Sequence, residues 1–69
     1  MYEIDPSVVV EDGAIIEPFA VIKGRSVLKK GCVVGSFSYV EDSVIGKNTV
    51  VRSSRICGST VGDNCTVGP

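Results

Sequence analysis

The chain has 69 residues, 43% of them apolar, with seven basic and eight acidic side chains, a net charge of −1 and no histidine. This composition allows one small domain and offers no basic field for nucleic acid or an anionic membrane. Without histidine, the commonest general base and the commonest metal ligand are both missing. No apolar run exceeds four residues and no signal peptide is visible, so the sequence predicts no membrane span and a cytoplasmic protein.

Residues 1–3 read as a short lead-in, and the patterned segment runs over 4–69. From Ile4, every sixth residue is a branched aliphatic: Ile4, Val10, Ile16, Ile22, Leu28, Val34 and Val40. Neither a helix nor an alternating strand has that period. It predicts an all-β, single-stranded parallel β-helix, in which each six-residue unit supplies a short strand and a turn. The series continues through Ile45, Val51, Ile56, Val61 and Val67 if units 40–44, 51–55 and 56–60 are each one residue short.

Within each unit the first residue is expected to point inward. The fifth position is Val8, Ala14, Ala20, Ser26, Cys32, Ser38, Val44, Thr49, Arg55, Thr60 and Cys65. All but Arg55 are small or β-branched, which suits a second inward side chain in a narrow core. The fourth position carries Gly13, Gly31, Asn48 and Asn64, types that tolerate the left-handed backbone of a tight corner. The third carries Pro6, Pro18 and Pro69, where a fixed φ starts a turn.

Three units per coil bring residues 18 apart into register. Asp5, Lys23 and Glu41 then stack with alternating sign, Glu11 lies over Lys29, Asp12 over Lys30, and Phe19 over Phe37. A coil of two units would place Asp5 beside Glu17, a poorer match. The expected coils are 4–21, 22–39, 40–55 and an incomplete 56–69, about three and a half in all. Cys32 and Cys65 fall on one inner column with Thr49 between them, beyond disulfide reach, and Cys57 points away from the core. Three cysteines also fit no zinc spacing. The chain stops at Pro69 in mid-unit without a polar cap, which reads as a solenoid truncated at its C-terminal end.

Ile45-Gly46-Lys47-Asn48-Thr49-Val50 and Val61-Gly62-Asp63-Asn64-Cys65-Thr66 resemble the repeat of the bacterial hexapeptide-repeat transferases: an aliphatic residue, often Gly, two free positions, a small residue and one more. Several earlier units depart from it, with Asp, Glu or Lys in place of Gly. Ile4-Asp5-Pro6, the order of long and short units, and the stretch from Ser59 to Pro69 are similar to the start of the β-helix domain of the bifunctional N-acetylglucosamine-1-phosphate uridylyltransferase/glucosamine-1-phosphate N-acetyltransferase family. The resemblance implies a left-handed helix, against the usual crossover preference, and a homotrimer. It implies acetyl-CoA, magnesium and a sugar-phosphate substrate for the parent protein only. The family's phosphate loop and its histidine base have no counterpart here, so no catalytic, cofactor-binding or metal-ligating residue is assigned.

The remaining polar residues read as structure first. Glu11-Asp12 and Glu41-Asp42 are acidic pairs that serve as solvated corners as readily as dyads. Lys23, Arg25, Lys29, Lys30 and Lys47 are interleaved with acids, which weakens any phosphate site. Arg55 stands at a nominally inward position: either its short unit re-aims it outward, or it marks a polar contact. Phe19, Phe37 and Tyr39 suggest a corner stack or a subunit contact. The unit-ending residues Val9, Ile15, Val21, Val27, Val33, Tyr39, Val50 and Thr66 point outward by strand alternation, an exterior stripe suited to oligomer contacts. The function expected is a non-catalytic scaffold and trimerisation segment of a sugar-nucleotide-forming transferase. The alternatives are part of another hexapeptide-repeat acyltransferase or sugar nucleotidyltransferase, and a stand-alone structural solenoid.

Overall fold

Aliphatic residues at a six-residue spacing form strands because each buries one large side chain per unit and then has to turn. The computed structural model describes residues 3–68. Its strands, in chain order, are β1 (Glu3–Ile4), β2 (Val9–Val10), β3 (Ile15–Ile16), β4 (Val21–Lys23), β5 (Val27–Leu28), β6 (Val33–Val34), β7 (Tyr39–Glu41), β8 (Val44–Ile45), β9 (Val50–Val51), β10 (Arg55–Cys57), β11 (Thr60–Val61) and β12 (Thr66–Val67). They make three parallel sheets of four strands: β1-β4-β7-β10, β2-β5-β8-β11 and β3-β6-β9-β12. Every strand therefore pairs with the strand one coil away. The result is an all-β parallel β-helix of about four turns, consistent with the left-handed form. Below, the three sheets are the first, second and third faces, and the corners are numbered by the face they follow.

The register places the first-position residues on top of one another. Ile4, Ile22, Val40 and Ile56 share one column. Val10, Leu28, Ile45 and Val61 share the second, and Ile16, Val34, Val51 and Val67 the third. Ile22, Leu28, Val34, Val40, Ile45 and Val51 are completely buried. Ile4, Val10, Ile16, Val61 and Val67, in the end coils, are not. The first strand takes in Glu3, which the sequence pattern assigns to the lead-in, while residues 1–2 and the third-position Pro69 lie outside the described residues.

Full-length units turn as their composition dictates. The fifth-position N–H donates to the second-position carbonyl in Ala14→Glu11 (3.2 Å), Ala20→Glu17 (3.3 Å), Cys32→Lys29 (3.2 Å) and Ser38→Gly35 (3.3 Å). The fourth residue of each is left-handed, as a type II turn requires. Gly13, Gly31, Asn48 and Asn64 meet that requirement at φ between +55° and +76°. Phe19 (φ 69°) and Phe37 (φ 62°) meet it against their preference. Their rings stack with centroids 5.4 Å apart and planes 5° from parallel. An aromatic pair contributes about 0.5–1.5 kcal/mol, which offsets part of the left-handed penalty of about 1–2 kcal/mol per residue.

The shortened units correct one expectation. Val44 and Thr60 are expected at the inward fifth position, but they pair with Val27 and Val44 in an outward column, and Arg55 pairs with Tyr39, the outward of the two alternatives for it. The inward places go to Ser43, Ser54 and Ser59. The strands keep their residues and the turn gives one up, because losing a strand residue would reverse every side chain after it. The left-handed residue moves to the third position: Asp42 (φ 49°), Ser53 (φ 42°) and Gly58 (φ 57°).

Candidate functional site: the outer columns and corners

Each face carries two outward columns. On the first face these are Glu3, Val21, Tyr39 and Arg55, and beside them Asp5, Lys23, Glu41 and Cys57. Arg55 points outward with its guanidinium carbon 5.0 Å from the centre of the Tyr39 ring, a cation–π contact at an exposed site. The short unit has re-aimed it. Its pKa is raised, chiefly by the neighbouring Cys57. The Tyr39 hydroxyl donates to Glu41 Oε1 at 3.2 Å, and desolvation followed by that bond raises its pKa. Lys23 Nζ lies 3.3 Å from Glu3 Oε2, and this contact raises the lysine pKa. Both side chains are well exposed, so the pair adds little stability.

That is the only ion pair among the described residues. The stacked charges expected at Glu11–Lys29 and Asp12–Lys30 do not join as ion pairs. Glu11 and four other carboxylates instead accept backbone amides at the corner of a neighbouring coil. Asp5 accepts from Gly24 N (2.8 Å), Glu11 from Lys30 N (3.2 Å) and Glu17 from Ser36 N (3.1 Å), one at each of the three corners. Asp42 accepts from Arg25 N (2.9 Å) and Asp63 from Lys47 N (2.8 Å) in the same way. A turn amide is fixed in place and otherwise unpaired, whereas a lysine ammonium must surrender rotamer freedom to reach the same oxygen. Accordingly, Glu11→Ala is expected to cost about 1 kcal/mol, roughly 4–8 °C in Tm, while Lys29→Ala leaves Tm unchanged. Thermal melts of both variants separate the arrangements, because an ion pair would make the two losses equal.

On each of the other faces one outward column is largely β-branched. The second carries Val9, Val27, Val44 and Thr60, and the third Ile15, Val33, Val50 and Thr66. On the third face an open hollow of about 370 Å³ has Val33, Gly35 and Val50 in its lining, with Glu17 and Arg52 beside them. A second, of about 550 Å³, lies at the second corner among Asp12, Lys30, Lys47 and Asn48. No group of three potential metal ligands forms among the described residues. Phe19 and Phe37 are 60% and 72% exposed on the third corner, so the stack forms without a cover.

Cys32 is buried, and burial pushes its thiol pKa up. It shares an inner column with Thr49 and Cys65, as the spacing predicts. Cys57 and Cys65 are exposed, and all three thiols are free. No helix of the described residues is long and apolar enough to cross a membrane.

Comparison with known proteins places these features. A sequence model of the family described as bacterial transferase hexapeptide (six repeats) matches residues 7–42. The chain is 50% identical over 66 residues to the bifunctional protein GlmU of Clostridium acetobutylicum, covering 96% of this chain and 14% of that protein. Over the same length it is 44% identical to GlmU of Clostridium novyi, again 96% of this chain and 14% of the relative. It is 38% identical to GlmU of Syntrophomonas wolfei, 96% of this chain and 15% of the relative. The chain thus spans about one-seventh of the length of these relatives.

Proposed function

Since this chain belongs to the bacterial transferase hexapeptide family, we propose that it is the scaffold and self-association segment of a sugar-nucleotide-forming transferase. The parent activity is the synthesis of UDP-N-acetylglucosamine by uridylyl transfer and glucosamine-1-phosphate N-acetylation, in the cytoplasm. The similarity to bifunctional GlmU proteins over nearly the whole chain supports this parent. The observation that carries the scaffold role is the fate of the polar groups. Five carboxylates are engaged by corner amides, and inner hydroxyls bond to turn carbonyls. These groups hold coils together and face no common cleft.

Magnesium, which the parent family uses, finds no ligand set among the described residues. The carboxylates stand on separate corners, and no cluster of potential ligands gathers among the described residues. No step of the transfer chemistry is assigned to this stretch. Its contribution is to hold the coils that follow at fixed spacing. The partner is a homotrimer, formed through the β-branched stripes of the second and third faces. Burying such stripes contributes roughly 25 cal/mol per Å² of apolar surface.

Two measurements test the reading. Sedimentation equilibrium is expected to give a trimer that Val33→Glu breaks into monomers while the circular dichroism spectrum persists. Calorimetric titration with UTP or acetyl-CoA is expected to show no saturable heat. Saturable binding of either would sink the scaffold role, and a monomeric parent chain would sink the assembly.

A further inference from the structure

The inner columns contain hydroxyls whose placement follows the coil length. Ser26, Ser43 and Ser38 each stand one coil before a five-residue unit, above Ser43, Ser59 and Ser54 respectively. The inner residues standing before full-length units are Val8, Ala14, Ala20, Cys32 and Thr49, with Thr49 the only hydroxyl among them. Five of the full-length units close the turn by donating the fifth-position N–H to the carbonyl three residues back; in 61–66, which follows Thr49, Cys65 N donates instead to Thr49 Oγ1 at 3.3 Å. A unit one residue shorter has lost that acceptor from its turn, and its inner N–H needs another. At two of the three short units the hydroxyl before it accepts that amide: Ser43 N donates to Ser26 Oγ at 3.3 Å, and Ser59 N to Ser43 Oγ at 3.2 Å. Those hydroxyls also donate within their own turns, Ser26 Oγ to Lys23 O and Ser43 Oγ to Glu41 O, both at 2.8 Å. Donor and acceptor capacity are both used, and each serine links two successive turns. Ser38 Oγ stands at the third place, buried and without a partner.

We infer that Ser26 and Ser43 form a conformational device: a buried hydroxyl relay down the first corner that replaces the missing turn acceptor and makes five-residue units stable there. The relay fixes where the coil tightens, and so which residues continue the outward columns. It puts Val44 under Val27, and Thr60 under Val44. An aliphatic inner residue would leave the short turn's amide orphaned, and the chain would favour a six-residue turn instead.

The relay predicts a change of sign. In the parent chain, a glycine inserted after Asp42 lengthens unit 40–44 to six residues and is expected to lower Tm. In a Ser26→Ala background the same insertion is expected to raise Tm, because the longer turn regains its own acceptor. Ser26→Ala alone is expected to speed exchange of the Ser43 amide at least tenfold, read by NMR. The Ser59 amide, bonded to Ser43 Oγ, serves as the internal reference. Should Ser26→Ala fail to fold, Ser43→Ala reads the same contact at the Ser59 amide, near the open end of the stack. Additive effects of insertion and substitution, or unchanged protection of the amide facing the deleted hydroxyl, would overturn the relay.

Discussion

Val34→Asp is expected to abolish cooperative folding. Val34 is completely buried at the middle of the third inner column, between Ile16 and Val51. The side chains around it are the aliphatic core, and the carboxylates of the chain lie outside on the corners. A buried, unpartnered carboxylate costs about 3–5 kcal/mol. A domain of this length has roughly 3–10 kcal/mol in total. The solenoid has little means of confining the damage, because each coil is stabilised by the coil above and the coil below. Losing the second coil leaves a single turn on one side and two on the other. The measurement is a thermal melt followed by circular dichroism, with Val10→Asp as the comparison. Val10 also sits at a first position, but in the end coil, where it is 45% exposed and a carboxylate reaches water. The first variant should show no cooperative transition and the second a folded protein of reduced Tm. A Val34→Asp chain that melts like the parent would mean the inward register is wrong.

The inward register was legible because one narrow column sets it. A period of six has few competing explanations, and all first-position residues from Ile4 to Val67 stack as the spacing predicts. The positions of the short units were legible for the same reason, since the aliphatic series resumes after each one. Which residue each short unit lost was not legible. Counting from the first position put Arg55 inward, but only the pairing Arg55–Tyr39 shows that the turn, not the strand, is shortened. Strand alternation carries the missing signal: a two-residue strand needs its outward residue just before the next aliphatic one. Likewise, charge spacing gave the right neighbours and the wrong partners. Glu11 lies beside a lysine, yet accepts from the Lys30 amide. Sequence spacing locates a residue on a corner, but a backbone N–H leaves no mark in the sequence. The same limit applies to the serine relay, although its clue was present as a hydroxyl one coil before each short unit.

Gly46→Ala is the second substitution expected to be severe, and it separates contact from motif. Gly46 and Gly62 hold the same second position in the two units closest to the family repeat, so the pattern alone gives them equal weight. Their surroundings differ. A Cβ on Gly46 would lie 2.5 Å from the carbonyl carbon of Gly62, and closer still to its oxygen. The obstacle is backbone, which cannot rotate aside. It is also held in place, because Thr49 Oγ1 donates to Gly62 O at 2.6 Å. The last coil would have to move away from the third, lengthening the Val50 N–Cys65 O and Arg52 N–Val67 O bonds of 2.9 and 2.8 Å. Overpacking of this kind costs about 1–3 kcal/mol, and each kcal/mol lowers Tm by roughly 4–8 °C in a domain this small. A Cβ on Gly62 meets nothing nearer than Cys65 Sγ at 3.8 Å, an ordinary contact. Gly62→Ala should therefore be neutral or slightly stabilising, by up to about 1 kcal/mol, through the lower entropy of the unfolded chain. Paired melts decide the matter. Equal losses at the two positions would show that the close approach of the third and fourth coils at this corner is not what excludes a side chain from Gly46.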